Sequence, residues 1–261
     1  MGIQGIDVSY VQGKINWDLV ASQGIKFAIV KASQGKLLKD PSVGPFADPR
    51  FLENVKGAKK ANIPIGVYHY LCAGNIAEAE KEARFFLKTI EPVRNHISLW
   101  SVIDAEEDKY LPSNKQQLTN VILHFAKRIQ VSGCKPMLYT NPNYLTYKLG
   151  DVSSLPLFLA YWGVSEQSAL RYKPLIWQYG IKTINNVKFD GDIGYFDLPS
   201  QIVKGDKVRV INPIVYGTNR RFATYYPTYT VLSISGARAV IGFNGIVTAA
   251  IDVKNLEKVS N

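Results

Sequence analysis

The residues best equipped for chemistry are acids that close short apolar runs. Asp7 ends the run Gly5–Val8, Asp104 and Glu106 close Leu99–Asp104, and Asp197 ends Ile193–Leu198. In Asp104-Ala105-Glu106 the two acids share one face of an extended strand, with Cα atoms about 6–7 Å apart. Mutual repulsion at that range raises one carboxyl's affinity for its proton and leaves the other ionised. Such a pair suits cleavage of a glycosidic bond, the neutral acid protonating the leaving oxygen and the anions stabilising the oxocarbenium charge. An acid after a strand also commonly caps the next helix or faces water, and Glu107 and Asp108 read that way. Four acids ending three separate strands are harder to explain by capping alone.

Aromatic and amide side chains follow other runs: Tyr68, His69 and Tyr70; Tyr139; Tyr161; Trp177 and Gln178. Ring faces stack on sugar C–H groups while hydroxyl and amide groups reach sugar hydroxyls, so these are candidate substrate contacts, although about half of such rings simply pack a core. His69 reads as a hydrogen-bonded core or rim residue rather than a base, because no Ser or Cys nucleophile stands beside it. No phosphate-binding glycine loop and no Gly-x-Ser-x-Gly elbow is present. Three histidines and two cysteines, Cys72 and Cys134, show no metal-ligand spacing. Neither cofactor nor metal is expected, the thiols read as small buried hydrophobes, and a bridge between them is left open.

The elements that must position these groups alternate. Strand candidates are Gly5–Val8, Phe27–Ala32, Ile65–Leu71, Leu99–Asp104, Pro136–Thr140, Leu157–Tyr161, Leu175–Tyr179 and Ile193–Leu198. Most lack apolar–polar alternation, as strands covered on both faces do. Helices are expected over Asn16–Gln23, Pro49–Ala61, Ile76–Ile90 and Pro112–Val131. The pattern predicts an α/β fold, an irregular (β/α) barrel with stunted late helices, whose strand ends converge on one mouth. From Val203 onward the grammar changes to short strands (Lys207–Ile211, Tyr229–Ile234, Ala239–Gly242, Thr248–Ile251) between Gly, Asn and Pro, with no helical period before the last few residues. That predicts a small all-β barrel over 203–261 after a barrel over 1–200.

The net charge is +10, and half of the excess falls on the residues from Val203 onward. Such a field favours anionic surfaces or polymers. Arg220-Arg221 beside Tyr225-Tyr226 is too small a cluster to argue for nucleic acid. No run of about 18 apolar residues exists, so no membrane partner is expected. The start, Met1-Gly2-Ile3-Gln4, has neither a basic stretch nor an apolar h-region and reads as carrying no signal peptide.

Several stretches resemble glycoside hydrolase family 25 muramidases. They are Gly5-Ile6-Asp7-Val8-Ser9, Gln12-Gly13, Ile15-Asn16-Trp17, Gly24 through Ala32, Asp48-Pro49-Arg50-Phe51, Gly66 through Tyr70, Glu82-Ala83, the Asp104/Glu106 pair, Pro136 through Asn141, Trp177-Gln178-Tyr179 and Gly194 through Leu198. The resemblance covers residues 3–200. It implies an irregular β/α barrel cleaving the β-1,4 bond between N-acetylmuramic acid and N-acetylglucosamine in peptidoglycan. By resemblance, Glu106 is the proton donor, Asp104 orients or stabilises the substrate, and Asp7 and Asp197 flank the cleft, with Asp192 the alternative to Asp197. A protein nucleophile and assistance by the substrate's acetamido oxygen are both compatible with it. The chain departs from the family's Lys-Ala-Thr-Glu-Gly, having Lys31-Ala32-Ser33-Gln34-Gly35.

The tail, with Gly205 through Val210 and Val215-Tyr216-Gly217-Thr218, resembles the bacterial SH3-like modules of cell-wall hydrolases. Together the resemblances imply a phage-type endolysin that lyses the walls of Gram-positive bacteria. It would be made in the host cytoplasm and released through a membrane pore formed by another protein (a holin-type route). The alternative is a carbohydrate-binding barrel that kept the cleft and lost turnover. Oligomeric state is not legible.

Overall fold

Apolar strands need cover on both faces, and the chain provides it by alternating them with helices whose apolar stripe faces inward. The computed structural model describes residues 2–36, 42, 44–198, 202–235 and 237–259. The chain divides into two compact units, Met1–Asp197 and Leu198–Asn261; residues 199–201, around the joint expected from sequence, lie outside the described residues.

In the first unit β1 (Ile3–Val8), β2 (Phe27–Gln34), β4 (Ile65–Tyr70), β5 (Ile97–Asp104), β6 (Pro136–Thr140) and β7 (Leu157–Ala160) run parallel and pair in that spatial order. β8 (Ile176–Ile184) continues parallel to β7, and β9 (Val187–Gly194) returns antiparallel between β8 and β1, closing the barrel. The two-residue β3 (Phe46–Ala47) is appended to β2. Helices α1 (Trp17–Ser22), α2 (Phe51–Lys60), α3 (Ile76–Ile90), α4 (Lys115–Val131) and the short α5 (Glu166–Leu170) fill the connections. Their starts are fixed locally: Asn16, Asn75, Asn114 and Ser165 each accept a backbone N–H of the first turn, satisfying donors the helix leaves orphaned. Helix α3 buries Ala79, Glu82, Ala83, Phe86 and Ile90, a 3–4 spacing on one face.

The expected barrel is present, with its late helices reduced as predicted. Its last strand differs from expectation. Ile193–Leu198 was expected as a parallel eighth strand, but the closing strand is Val187–Gly194 and antiparallel. The cause is a hairpin at Asn185-Asn186, both at positive φ (47° and 65°), the conformation of a two-residue turn between twisted strands. This turn reverses the chain where a helical crossover would otherwise have been required.

The second unit is a five-stranded antiparallel sheet in the order β13-β12-β11-β10-β14. Its strands are β10 (Lys207–Val210), β11 (Tyr229–Ser235), β12 (Arg238–Phe243), β13 (Ile246–Asp252) and β14 (Leu256–Lys258). Alternate residues Val208, Tyr229, Val231, Ala239, Ile241 and Ile251 are buried together with Leu256. Asn244-Gly245, at φ 48° and 79°, forms the β12–β13 turn. Leu256–Lys258, where the sequence offered helical spacing, instead pairs with β10.

Candidate active site

Period-two alternation aims one set of side chains from each strand into the barrel. Tyr68 and Tyr70 come from β4, Val102 and Asp104 from β5 with Glu106 just beyond it, and Gln178 from β8. With Asp7 of β1, Lys31 of β2, Tyr139 of β6, Phe158 of β7 and Asp190 of β9 they line a cavity of about 150 Å³. Asp7, Asp104 and Glu106 are thus brought to one place from strands about a hundred residues apart. Asp104 lies low, 6% exposed, whereas Glu106 reaches solvent at the mouth.

Crowding of like charges sets the electrostatics. Burial raises Asp7 well above the usual carboxylate range and Asp190 adds to it, against a hydrogen bond from Gln178. Asp104 is raised first by burial and then by Glu106, with Lys31 pulling the other way. Although Glu106 touches solvent, loss of surrounding water in the cavity raises it, with Asp190 and Glu107 adding and the Tyr139 hydroxyl opposing. Asp190 is raised by burial. Acids crowded in this way hold their protons more tightly than free carboxyls and titrate as a group. A neutral carboxylic acid next to a carboxylate is the equipment for protonating a leaving oxygen while stabilising positive charge.

Gln178 ties the site together. Its Nε2 donates to Asp7 Oδ2 (2.7 Å), while its Oε1 accepts from the Tyr139 hydroxyl (3.1 Å) and from Trp162 Nε1 (2.7 Å). These bonds fix the orientation of the amide and hold the indole of Trp162, 48% exposed, against Gln178. Among the described residues no group of three or more His, Cys, Asp or Glu could hold a metal ion. Cys72 is buried and Cys134 half-buried, both as free thiols.

Of the substrate contacts expected from sequence, Tyr68, Tyr70, Tyr139 and Gln178 line the cavity; His69, Tyr161 and Trp177 do not. Alternation explains the first and the last. His69 faces away from the barrel interior, its Nδ1 2.8 Å from Ser33 Oγ and its Nε2 2.9 Å from Glu82 Oε2 on α3, with its ring stacked on Phe125. Trp177 packs outward and donates to the Tyr161 carbonyl (2.9 Å), while the Tyr161 ring packs edge-on against Tyr172. Asp197 is also absent from the cavity: it follows β9 and is exposed. Because β9 is antiparallel, its beginning is at the mouth and its end is remote. Asp190, in register with Asp7, therefore stands where Asp197 was expected. Asp192 lies two register pairs deeper, opposite Gly5 and Gln178, fully buried with neither carboxylate oxygen hydrogen-bonded.

Sequence reasoning missed Lys31 and Asp190. A lysine inside the otherwise apolar Phe27–Ala32 was a signal, since lysine is almost never buried without a function or partner. Asp190 was hidden by the strand boundary; the Asn185-Asn186 turn would have revealed it.

The model of glycosyl hydrolases family 25 matches residues 6–186. The chain belongs to that family. Lysozyme M1 of Streptomyces globisporus is 30% identical over 193 residues, 68% of this chain and 62% of that protein. The lysozyme of Streptococcus phage Cp-9 is 29% identical over 190 residues, 67% of this chain and 50% of its own length. The chain therefore spans less than two thirds of either relative. The crystal structure of the bacterial lysozyme from Streptomyces coelicolor superposes with a TM-score of 0.60 at 25% identity, covering 76% of this chain and 94% of that one. The family 25 barrel thus accounts for the first unit, and the match stops short of the second.

Proposed function

We propose that this family 25 chain is an N-acetylmuramidase, cleaving the β-1,4 bond between N-acetylmuramic acid and N-acetylglucosamine in peptidoglycan. The observation that carries the reading is the cavity in which Asp104 and Glu106 share one face, with Asp7 and Asp190 beside them. Glu106, at the mouth, gives its proton to the glycosidic oxygen as the bond to the sugar C1 breaks. Asp104 and Asp7 stabilise the positive charge left on the ring, and Tyr68, Tyr139 and Trp162 offer hydroxyl groups and a ring face to the sugars. Water then completes hydrolysis, with Glu106 taking up its proton. The test is loss of turbidity of purified walls with analysis of the new reducing ends. Muramic acid at those ends supports the reading; glucosamine ends, or none, defeat it.

The second unit, basic and rich in exposed tyrosine (Tyr216, Tyr225, Tyr226), we read as an SH3-like wall-binding module. With it the chain acts as a phage-type endolysin on Gram-positive walls, which are anionic polymer surfaces suited to its charge. Supporting this are the likeness to a phage lysozyme and the uneven distribution of positive charge. Co-sedimentation with walls is expected to fall when residues 198–261 are removed, and equal sedimentation of both forms would contradict it.

A further inference from the structure

Glu106 stands two residues beyond the end of β5, outside the sheet, yet the chain is fastened on both sides of it. On the near side Ala105 donates its N–H to the Tyr139 carbonyl (3.0 Å), and its own carbonyl accepts from the hydroxyl of the buried Thr140 (2.8 Å). On the far side are Glu107 and Asp108, which by sequence alone read as caps or a face turned to water; both are bonded. Glu107 Oε2 accepts from the Tyr70 hydroxyl on β4 (3.1 Å) and its Oε1 from the backbone N–H of Lys109 (3.0 Å). The Glu107 carbonyl accepts from the N–H groups of Leu111 (3.2 Å) and Tyr110 (3.4 Å). Asp108 accepts from the Tyr144 hydroxyl and from Lys148 Nζ.

Tyr144 makes the Asp108 bond a firm one. Its ring is 2% exposed and packs in the main core of the barrel. It opens a wide turn, Tyr144–Lys148, closed by the Leu149 N–H on the Tyr144 carbonyl (2.9 Å). The turn sets the Lys148 ammonium over the Tyr144 ring, 4.6 Å from its centroid, so hydroxyl and ammonium converge on one carboxylate. An exposed ion pair alone contributes little, but this one leans on a buried phenol whose direction is fixed by packing. Neither Asp108, Tyr144 nor Lys148 lines the cavity. We propose that Asp108 is a positioning residue for the acid: bound by Tyr144 and Lys148, and seconded by Glu107 on Tyr70, it holds the segment carrying Glu106 so that the proton meets the glycosidic oxygen. A group that works from a loop needs its precision supplied by what the loop is tied to. An acid displaced by about 1 Å can lose about a hundredfold in rate. Of three successive acids, the first gives the proton and the next two hold it in place.

The inference rests on the muramidase reading for its effect on rate but not for its effect on the segment, and two measurements separate them. Backbone hydrogen exchange of residues 106–111, read by mass spectrometry on the full chain, reports the anchor. The values of kcat and KM on purified walls report the positioning. Tyr144→Phe keeps the packed ring and removes the hydroxyl. It is expected to speed exchange of the segment severalfold and to lower kcat by about tenfold, with KM and the urea midpoint nearly unchanged. Asp108→Ala, at an exposed site, is expected to do the same and serves should Tyr144→Phe fail to fold. Added to Glu106→Gln, Tyr144→Phe is expected to lower kcat by no more than about twofold, because no acid is left to position. Exchange unmoved in both variants overturns the proposal. So does a raised KM with an unchanged kcat, which would make the segment a substrate contact. A full tenfold loss in the Glu106→Gln background also overturns it, since the effect would then not pass through Glu106. If wild-type protein releases no reducing ends while exchange still quickens in the variants, the muramidase reading fails and the anchor stands.

Discussion

Replacing Glu82 by Ala should cost the barrel a large part of its stability while leaving the cavity's own groups in place. Glu82 is 2% exposed, and its Oε2 accepts from both His69 Nε2 (2.9 Å) and the backbone N–H of Cys72 (3.0 Å). His69 is itself fully buried and bound to Ser33 on its other side, so water cannot replace the lost acceptor. Two buried donors stranded at about 1–3 kcal/mol each give a loss of about 2–6 kcal/mol. That is a substantial share of a typical domain's total stability of about 5–15 kcal/mol. Urea unfolding followed by tryptophan fluorescence isolates the effect, because the four tryptophans (Trp17, Trp100, Trp162 and Trp177) all lie in the first unit. With a slope of about 2–3 kcal/mol/M, the midpoint should fall by about 1–3 M. A double-mutant cycle with His69→Ala should return a coupling of at least about 1 kcal/mol. A loss below about 1 kcal/mol for Glu82→Ala would refute the claim that His69 belongs to a buried tie between β4 and α3.

Two further substitutions test the packing and the buried charge. Gly57→Ala places a Cβ about 2.1 Å from Trp17 Cδ1, and the buried indole has little room to give. It should destabilise by about 1–3 kcal/mol although alanine favours a helix by about 1 kcal/mol, and an unchanged urea midpoint would show that the α1–α2 contact relaxes freely. Asp192→Asn tests the unpartnered acid. Burial, Asp7 and Asp190 raise its carboxyl well above the usual range, so the folded state binds its proton more tightly than the unfolded chain. The associated stability is full below the ordinary carboxylate range and is lost as pH rises through the folded-state value. Asparagine has no such dependence, so the variant should gain on the wild type between pH 4 and pH 8 by about 1 kcal/mol or more; a pH-independent difference would contradict this.

What the sequence disclosed follows from which physical signals are local. Strands such as Phe27–Ala32 and Pro136–Thr140 were legible because continuous apolar runs have few other uses; α1 and α3 start at their Asn caps close to where they were expected, whereas α4 was expected from Pro112 and starts at Lys115, after its cap Asn114. The Asp104/Glu106 pair was legible because period-two geometry needs no tertiary information. Asp197 was misplaced because strand direction depends on a turn, and the two residues of that turn, Asn185 and Asn186, decide whether the mouth receives the beginning or the end of β9. His69 and Trp177, expected among the substrate contacts, miss the cavity through parity: each neighbours a residue that faces it, and a shift of one residue reverses the face, while the reading of His69 as a hydrogen-bonded core residue agrees with its bonds to Ser33 and Glu82. Lys31 was visible as a residue, but its place in one cavity with Asp7 and Asp104 exists only once β1, β2, β4 and β5 lie side by side.

The most direct test is the Glu106→Gln variant, assayed for release of reducing ends from purified peptidoglycan beside its urea unfolding curve. Glutamine fills the same space and cannot donate the acid proton. Turnover should fall by at least about a hundredfold with an unchanged unfolding midpoint. Turnover within a few-fold of wild type would contradict the assignment of the proton to the mouth of this barrel.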